Sequence, residues 1–516
     1  MSNILTLSAL QPIWTELFMA LMIMGMLIFG VFKGNRSVRF LSFVAIAGLI
    51  LITGCLMLIP VSKEPILNGM FVLDTFAINI KIVLAIALIV SYLLSVKYLY
   101  DTGFVKFEYP VLIMLAGLGM FLMVSANHLL SFYMALELQS LTLYILAAFN
   151  RNAVKSAEAG VKYFILGAIS SGLILFGISL IYGFTGVLEY SYLENAITGL
   201  EGIEKTAVTF GMMFLIAGVA FKISAVPFHM WTPDVYSGAP LPVTAFFAIV
   251  PKLAALVMLL RLLYGPFEAL MADWQVVIGF LSVMSMIWAA FAGLVQQNLK
   301  RLMAYSSIGN MGYALLGVAV ATTEGISATF FYLFLYMIMT AGVFGVLLCM
   351  QRDGIVLRKI EDLAGLSRNH PILAYAMAIL MFSMSGIPPL SGFFGKMVIF
   401  QEVVAQEMYL LAVVGVLTSV IAAYYYLRII KVMFFDEPDM SYTKEFGPLR
   451  SFVILMSVLF AVLFVLRPDA IVPFTRATAS DLIGGSAQKV NYVTPKIIDV
   501  PKYLEEPIVD DVPLEN

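Results

Sequence analysis

The chain has 516 residues, of which 61% are hydrophobic and 12% are charged, and its mean hydropathy is +0.97. Such a composition excludes a soluble globular domain, because the chain has too few polar residues to cover a folded surface. The formal net charge of −2 identifies no class of partner. The sequence therefore predicts an integral membrane protein.

Apolar segments long enough to cross a bilayer occupy most of the chain. A spanning helix needs about 20 apolar residues, and about fourteen such segments precede the C-terminal tail. They lie at residues 13–32, 40–60, 76–98, 109–126, 129–149, 161–184, 207–226, 241–263, 274–296, 302–321, 326–350, 372–400 with a break, 409–433 and 450–467. Only helices satisfy their backbone hydrogen bonds within one segment in lipid, so we expect an all-α integral membrane protein.

Basic residues fall mainly in alternate connections between these segments. Seventeen of the thirty lysines and arginines lie there: Lys33, Arg36, Arg39, Lys97, Lys106, Arg151, Lys155, Lys300, Arg301, Arg352, Arg358, Lys359, Arg368, Arg428, Lys431, Lys444 and Arg450. The opposite connections carry only Lys63 and Lys205. By the positive-inside rule the basic side faces the cytoplasm or matrix, and an even number of spans places both termini on the opposite side.

The end of the chain, residues 468–516, is predicted to be a polar acidic tail. Six acids, two lysines and four prolines lie between Asn491 and Asn516, and the prolines exclude a regular helix or a central strand. One interpretation is a solvated, disordered tail. The other is an extended arm along a neighbouring subunit, held by the apolar residues Ile497, Ile498, Tyr503, Leu504, Ile508 and Val509.

Two apolar segments are interrupted by proline and glycine. Pro227 interrupts the segment that carries Lys222, and the sequence SGIPPLSGFFGK at 385–396 interrupts the twelfth. The breaks lie five spans apart, which is typical of a transporter built from inverted repeats with an ion site near the membrane midplane. Two unrelated proline kinks are the alternative.

Ionisable residues within apolar segments are the candidates for function, because charge at bilayer depth is costly. They are Lys81, Glu137, Lys162, Lys222, His229, Lys252, Arg261 and Lys396. Glu137 is the only carboxylate well inside the early spans, so we predict an ion pair between Glu137 and Lys222. A structural pair that clamps two helices is the alternative.

Lys252 and Lys396 extend this set. Lys252 has no acid in the adjacent spans, and desolvation lets an unpaired buried lysine titrate near physiological pH. Lys396 follows the Pro388-Pro389 break in the same way. Together, Glu137, Lys222, Lys252 and Lys396 would form a chain of charge that passes protons through ordered water.

The other ionisable groups have weaker claims. Lys162 is near the start of the sixth segment, where snorkelling to the interface is the more common behaviour, although a secondary relay role stays open. His229 follows Pro227 and could relay protons or simply bond to backbone. Lys81 and Arg261 lie near span ends and are predicted to be structural.

Redox chemistry is not expected within this chain. Cys55 and Cys349 lie in apolar segments and have the character of small buried hydrophobic residues. The sequence has no haem-ligand pair, iron–sulfur cysteine set, phosphate-binding glycine loop or nucleophile triad. We therefore expect no cofactor or metal in this chain, and the energy for transport must come from partners.

Several motifs resemble the antiporter-like membrane subunits of respiratory complex I and of multisubunit cation/proton antiporters. They are LELQSLTLYILAAF at 136–149, EAGVKYFILGAISSG at 158–172, FKISAVPFHMWTPDVYSGAPLPVTAFFAIVPK at 221–252, NLKRLMAYSSIGNMGY at 298–313 and GIPPLSGFFGKM at 386–397. The resemblance covers roughly residues 126–434. The absence of a long lateral helix, and lysine at position 396, favour the subunit N branch of this family, called subunit 2 in mitochondria.

The resemblance implies a fourteen-helix core with two inverted five-helix repeats, each with a broken helix. The implied units are N-terminal transmembrane helices at 1–125, a first repeat at 109–263, a second at 274–435, a last transmembrane helix at 450–467 and the tail at 468–516. It also implies partners: M-like and K/J-like membrane-arm subunits, with FMN, iron–sulfur clusters and quinone held by other subunits of the complex.

For the site, the resemblance implies a Glu137–Lys222 pair, a central Lys252 and Lys396 on the broken twelfth helix. Asn310 stands where relatives often have histidine, and His128 where they often have aspartate. Water or Tyr313 is the candidate to connect Lys252 with Lys396.

Three functions follow from these observations. The leading one is a proton-translocating subunit of an NADH:quinone oxidoreductase, driven by redox chemistry in its partners. The second is an Mrp-type cation/proton antiporter subunit. The third is a non-transporting scaffold whose buried charges only hold helices together.

Overall fold

The computed structural model describes residues 10–352, 355–356, 359–437, 443–444 and 447–484. Helices dominate these residues. They are α1 (Trp14–Lys33), α2 (Val38–Leu58), α3 (Thr75–Asp101), α4 (Glu108–Val124), α5 (Leu129–Ala147), α6 (Val154–Thr185), α7 (Tyr190–Thr198), α8 (Gly202–Ile223), α9 (Trp231–Gly238), α10 (Leu241–Tyr264), α11 (Met271–Leu294), α12 (Leu299–Ala319), α13 (Thr323–Cys349), α14 (Leu366–Asn369), α15 (Pro371–Ser385), α16 (Ser391–Ala405), α17 (Tyr409–Phe435), α18 (Pro448–Leu463) and α19 (Val472–Gly484).

Within the described residues, five short strands lie in the connections. Strands β1 (Ser62–Ile66) and β2 (Phe71–Leu73) form an antiparallel hairpin between α2 and α3. A three-stranded sheet has the order β4-β3-β5, where β3 is Met350–Arg352, β4 is Ile355–Val356 and β5 is Thr443–Lys444. Strand β2 also contributes Phe71 and Leu73 to the hydrophobic core.

The helices have the length and composition of membrane spans. Ten helical segments in the described part of the chain are long and apolar enough to cross a membrane, and α4 and α15 are shorter apolar helices. The predicted all-α membrane architecture is confirmed at this level, and the chain is a multi-pass membrane protein.

Polar side chains at the ends of several spans cap the helices. The Asp74 carboxylate accepts a hydrogen bond from Ala77 N at 2.7 Å and begins α3. The Asn298 side chain accepts from the backbone nitrogens of Lys300 and Arg301 and begins α12. These caps satisfy backbone N–H groups that have no partner within the helix.

Both predicted helix breaks are present. At the first break, α8 ends at Ile223. Ser224 then adopts the left-handed region at φ +65°, and the next helix, α9, begins only at Trp231. The second break separates α15 from α16 at residues 386–390, and Gly386 adopts φ +87° there, which favours glycine. Each break therefore leaves the last carbonyls of a helix without partners within that helix.

The centre of the bundle is α10. Every residue of α10 is buried, and it packs against α3, α4, α8, α12 and α13. Pro251 lies inside this helix, immediately before Lys252. By contrast, α1, α6 and α17 expose large apolar residues, as lipid-facing helices do.

The first part of the segment predicted to be a polar tail, which begins at residue 468, is helical and packed against the bundle. Residues 472–484 form α19, which packs against α3 and α13. Its Thr478 hydroxyl accepts a hydrogen bond from the Asn79 side chain at 2.8 Å, and Asp481 accepts one from Phe76 N at 3.2 Å. The proline-rich acidic stretch from 491 onward, with its two alternative interpretations, lies outside the described residues.

Candidate functional site

Lys222 lies at the C-terminal end of α8, directly before the first break. A cation is favoured there because the final carbonyls of a helix carry partial negative charge. The side chain is 6% exposed, and its Nζ donates to Ser140 Oγ at 2.9 Å and to Tyr144 OH at 3.3 Å. Both hydroxyls belong to α5, so Lys222 joins α8 to α5.

Glu137 lies one turn before Ser140 on α5 and does not form the predicted direct ion pair with Lys222. Its carboxylate is half-buried and accepts a short hydrogen bond from Ser171 on α6. No described carboxylate lies within ion-pair distance of Lys222, because the ammonium group is bonded to the two hydroxyls of α5 instead.

Lys252 lies in the middle of α10 and is 1% exposed. Its Nζ donates to Ser307 Oγ on α12 at 2.6 Å, and Tyr336 OH donates to the same oxygen at 2.9 Å. The ring of Tyr236 lies 5.5 Å from the ammonium nitrogen, a distance that permits a cation–π interaction. Within the described residues Lys252 has no ion-pair partner.

Lys396 lies on α16 next to the second break. Its Nζ donates to the Ser385 carbonyl at 3.1 Å and to Ser419 Oγ on α17 at 2.8 Å. Ser385 is the last residue of α15, so its carbonyl is free to accept the ammonium proton because the helix ends there. The side chain is 7% exposed and lies 4.9 Å from the centre of the Tyr313 ring.

Asn310 lies on α12 one turn after Ser307 and is fully hydrogen-bonded. Its Oδ1 accepts from Tyr332 OH at 2.6 Å, and its Nδ2 donates to the Ser306 carbonyl at 2.7 Å. The Ser306 hydroxyl is 2.6 Å from Tyr426 OH on α17. A polar strip on α12 therefore continues from the partner of Lys252 toward α17.

A small cavity connects this strip with Lys396. Its volume is about 10 Å³, which is roughly the space of one water molecule. Its polar lining is formed by Ser306, Asn310, Tyr313, Lys396, Tyr425 and Tyr426. Of the two predicted connectors, Tyr313 borders this space and its hydroxyl lies 3.4 Å from Thr418 Oγ1.

Sequence reasoning missed the hydroxyl partners of these lysines. They are Ser140, Tyr144, Ser307 and Ser419, and Tyr336 in turn donates to Ser307. The signal available in the sequence was the polar stretch YSSIGN at 305–310 inside an otherwise apolar helix. The other partners come from distant helices, and their pairing depends on packing.

Two of the three secondary candidates, Lys162 and His229, lie apart from the four principal residues. Lys162 is 42% exposed and pairs with Glu158 at 2.7 Å and with Asp234 at 2.8 Å. His229 is buried in the connection before α9, with its ring 5.6 Å from that of Trp288. The structure gives neither residue a hydrogen bond to Glu137, Lys222, Lys252 or Lys396.

Asp234 belongs to α9 and receives two cations at the basic end of the bundle. Its Oδ2 accepts from Lys162, and its Oδ1 accepts from Arg301 Nη2 at 2.8 Å. Partial burial alone would raise the pKa of Asp234, but the hydrogen bonds and charges of Lys162 and Arg301 outweigh it and lower that pKa below its usual range.

A second group of buried charges lies near the other end of the bundle and includes a carboxylate that sequence analysis overlooked. Lys81 is fully buried and pairs with Glu16 on α1 at 2.5 Å, so Glu137 is not the only carboxylate inside the early spans. Arg261 pairs with Asp74 at 2.7 Å. These pairs join α1 to α3 and α3 to α10.

No cofactor site is evident in the described part of the chain. It contains no group of three or more His, Cys, Asp or Glu side chains positioned to hold a metal ion. Cys349 is buried and Cys55 is half-buried, and both are free thiols.

Comparisons with known proteins identify the family of this chain. The family described as "NADH:quinone oxidoreductase/Mrp antiporter, TM" matches residues 126–422. The NADH-quinone oxidoreductase subunit N of Parvibaculum lavamentivorans is 46% identical over 478 residues, which are 93% of this chain and 99% of that protein.

Two solved structures are similar to this chain. A chain of respiratory complex I from Thermus thermophilus with bound aureothin is 31% identical, with a TM-score of 0.75 over 90% of this chain and 99% of that chain. A chain of the Mrp complex from Dietzia has a TM-score of 0.81 over 92% of this chain and 98% of that chain, but at 22% identity it shows the shared fold alone. The chain therefore belongs to the NADH:quinone oxidoreductase/Mrp antiporter transmembrane family, and within it to the group of NADH-quinone oxidoreductase N subunits.

Proposed function

We propose that this chain is the proton-translocating membrane-arm subunit N of an NADH:quinone oxidoreductase and that protons move along Glu137, Lys222, Lys252 and Lys396. The observation that carries the proposal is the environment of the three lysines. Each is buried, and each ammonium group is held by hydroxyl or carbonyl oxygens, with no ion pair to a described carboxylate.

Such an environment suits proton transfer. A carboxylate in direct contact would hold the proton on the lysine, whereas hydroxyl groups donate and accept protons and can pass them on. Ser307 Oγ accepts from both Lys252 and Tyr336 and keeps its own proton available for donation. Each lysine is therefore a titratable group in direct hydrogen-bond contact with a serine hydroxyl that could take its proton.

The path we propose crosses the bundle through neighbouring helices. It runs from Glu137 on α5 to Lys222 on α8, then to Lys252 on α10, which packs against α8. From Lys252 it continues through Ser307 and Asn310 on α12 and the adjacent small cavity to Lys396. Asn310 has no titratable group, so it would orient water and hydroxyl groups and would not itself carry the proton.

The proposed topology has fourteen spans in two inverted repeats, at 109–263 and 274–435. Counting α8 alone as the span that ends at the first break and α15 with α16 as one broken span, and leaving α7, α9, α14 and α19 outside the spans, supports this number. A buried lysine beside each break supports the repeats. The basic side would face the cytoplasm or matrix, and the termini the opposite side.

The chain would act within a complex. We propose that its partners are the M-like and K/J-like membrane-arm subunits, in a bacterial plasma membrane or a mitochondrial inner membrane. FMN, iron–sulfur clusters and quinone would be held by other subunits, whose redox chemistry supplies the energy. An Mrp-type antiporter has the same fold, but the identity to N subunits over nearly the whole chain favours the oxidoreductase.

Glu137→Gln tests the proposal in the assembled complex. We expect the complex to assemble while NADH-driven proton pumping in inverted vesicles falls at least several-fold, because the charge that drives changes at Lys222 is removed. Glu204→Gln, an exposed carboxylate on α8, is the matched control and should leave pumping intact. Full pumping by Glu137→Gln would favour the scaffold function.

A further inference from the structure

Helix α9 is much shorter than the spans near the relay, and non-helical residues flank it on both sides. It has only eight residues, follows the non-helical connection 224–230 and ends before Ala239-Pro240. One residue of this helix, Asp234, makes ion pairs at the basic end, and another, Trp231, packs toward Lys222. A displacement of α9 would therefore move both together.

The outer contacts of α9 form a latch, defined here as Asp234 with Lys162 and Arg301. Each Asp234 oxygen accepts from one cation, at 2.8 Å in both cases. The side chains are partly exposed, at 35% for Asp234, 42% for Lys162 and 48% for Arg301. Exposed ion pairs are weak, and Lys162 has a second partner in Glu158. The latch can therefore open at low cost.

The inner contacts of α9 form a plug of aromatic rings, defined here as Trp231, Tyr163 and Phe221. Trp231 stacks on Tyr163 with ring centres 4.3 Å apart and an interplanar angle of 10°. Its Nε1 donates to the Phe221 carbonyl at 2.9 Å, and the two rings lie 5.5 Å apart. All three side chains are buried.

The plug contacts the surroundings of Lys222 directly. Phe221 precedes Lys222 in the chain, and Tyr163 packs edge-on against Tyr144 at 4.8 Å, whose hydroxyl accepts from Lys222. On the other side, Tyr163 follows Lys162 of the latch. The rings therefore occupy the space between the exposed ion pairs and the buried ammonium group.

Two polar cavities reach the latch from the basic end. One, of about 230 Å³, is lined by Glu158, Lys162 and Ser237, and the other, of about 200 Å³, is lined by His229, Trp288 and Tyr305. Asp234 and Arg301 line both cavities. Cavities of this size hold water, so water can lie on both sides of the latch.

We propose that α9 is a gate on proton entry, in which Asp234 is the latch and Trp231 the plug. When Asp234 releases Lys162 and Arg301, α9 moves, Trp231 separates from Tyr163, and water from the two cavities reaches Lys222. The inference rests on the proposed function because it treats Lys222 as a relay group. Asp234 and Trp231 are positioning residues in this account, since neither carries the proton.

A thiol at position 222 tests the gate without relying on pumping. Lys222→Cys is introduced into the full complex with Cys55 and Cys349 replaced by serine, in vesicles that expose the basic side. Silver ion, which is small and binds thiols, is added from that side. The unreacted thiol is then counted with a maleimide after denaturation. With the gate closed, we expect slow reaction.

Adding Trp231→Ala should raise the reaction rate at least about tenfold, and Asp234→Asn should raise it several-fold, from the basic side only. Ser237→Ala, on the same helix but outside latch and plug, is the matched control and should leave the reaction rate unchanged.

An unchanged rate in the assembled Trp231→Ala complex overturns the gate. If that variant does not assemble, an unchanged rate with Asp234→Asn overturns it. Failure of the proposed function is detected separately, by full pumping in Glu137→Gln.

Discussion

Lys252 Nζ lies 2.6 Å from Ser307 Oγ, and this hydrogen bond joins the fully buried helix α10 to the polar strip of α12. It gives the central lysine a partner that can accept a proton and donate another. The connection between the two halves of the proposed relay therefore depends on a serine that forms no part of an ion pair.

Ser307→Ala should impair pumping without preventing assembly. Removing the hydroxyl leaves a buried ammonium donor without this acceptor, a change that costs about 1–3 kcal/mol. We expect proton pumping at least several-fold below that of the unmodified complex, measured against NADH oxidation in the same vesicles. Ser282→Ala removes another buried hydroxyl, one that donates to the Gly312 carbonyl, and should leave pumping unchanged; equal loss in both variants would contradict a relay role for Ser307.

Asn310 is predicted to keep the small cavity polar. Asn310→Leu removes the acceptor of Tyr332 and the donor to Ser306, so the cavity beside Lys396 loses an amide from its polar lining. We expect pumping to fall several-fold. Asn310→His keeps donor and acceptor atoms and should retain most of the activity. If leucine and histidine have the same effect, polarity at this position does not matter.

The buried pair of Glu16 and Lys81 is predicted to serve stability, not transport. Breaking a buried ion pair by removing one partner costs about 3–5 kcal/mol, whereas replacing both partners with apolar groups is often neutral. Glu16→Gln should therefore lower the thermal stability of the complex or the amount assembled, and Glu16→Leu combined with Lys81→Met should restore it. A double variant that assembles but does not pump would show that the pair belongs to the relay.

The latch should show a defined pH dependence. The folded-state pKa of Asp234 lies below its usual value because Lys162 and Arg301 favour the carboxylate. Its contribution to stability is therefore present above the ordinary aspartate pKa of about 3.9 and is lost as pH falls through the folded-state pKa. The difference in thermal stability between the unmodified complex and Asp234→Asn should be constant near neutral pH and vanish in strong acid. A difference that disappears between pH 8 and pH 6 would contradict this assignment.

Much of the architecture could be predicted from local sequence. The membrane class follows from composition, and the breaks follow from Pro227 and from Pro388-Pro389, because proline cannot donate the helical hydrogen bond. The four candidate residues were found because charge is rare in apolar segments. The structure places Lys222 and Lys396 beside the breaks and Lys252 in the centre of the bundle.

The sequence predictions that were wrong concern side-chain partners, because these depend on how distant helices pack. A direct Glu137–Lys222 pair was predicted because no other acid was available, yet Ser140, one turn further along α5, bonds to the ammonium group. Glu16 was overlooked because it lies near the start of the first span, where charge is common. Its burial results from the packing of α1 against α4 and α2, and its partner Lys81 comes from α3, so no local pattern reveals these contacts.

The most direct test of the relay is proton pumping by the complex with Lys252→Met. This change keeps an unbranched side chain, one heavy atom shorter, and removes its only titratable group. The account predicts an assembled complex whose NADH-driven pumping falls at least tenfold, equivalent to about 1.4 kcal/mol in the barrier, while Lys205→Met, at an exposed position on α8, pumps normally. Pumping at the unmodified rate by Lys252→Met would contradict the account.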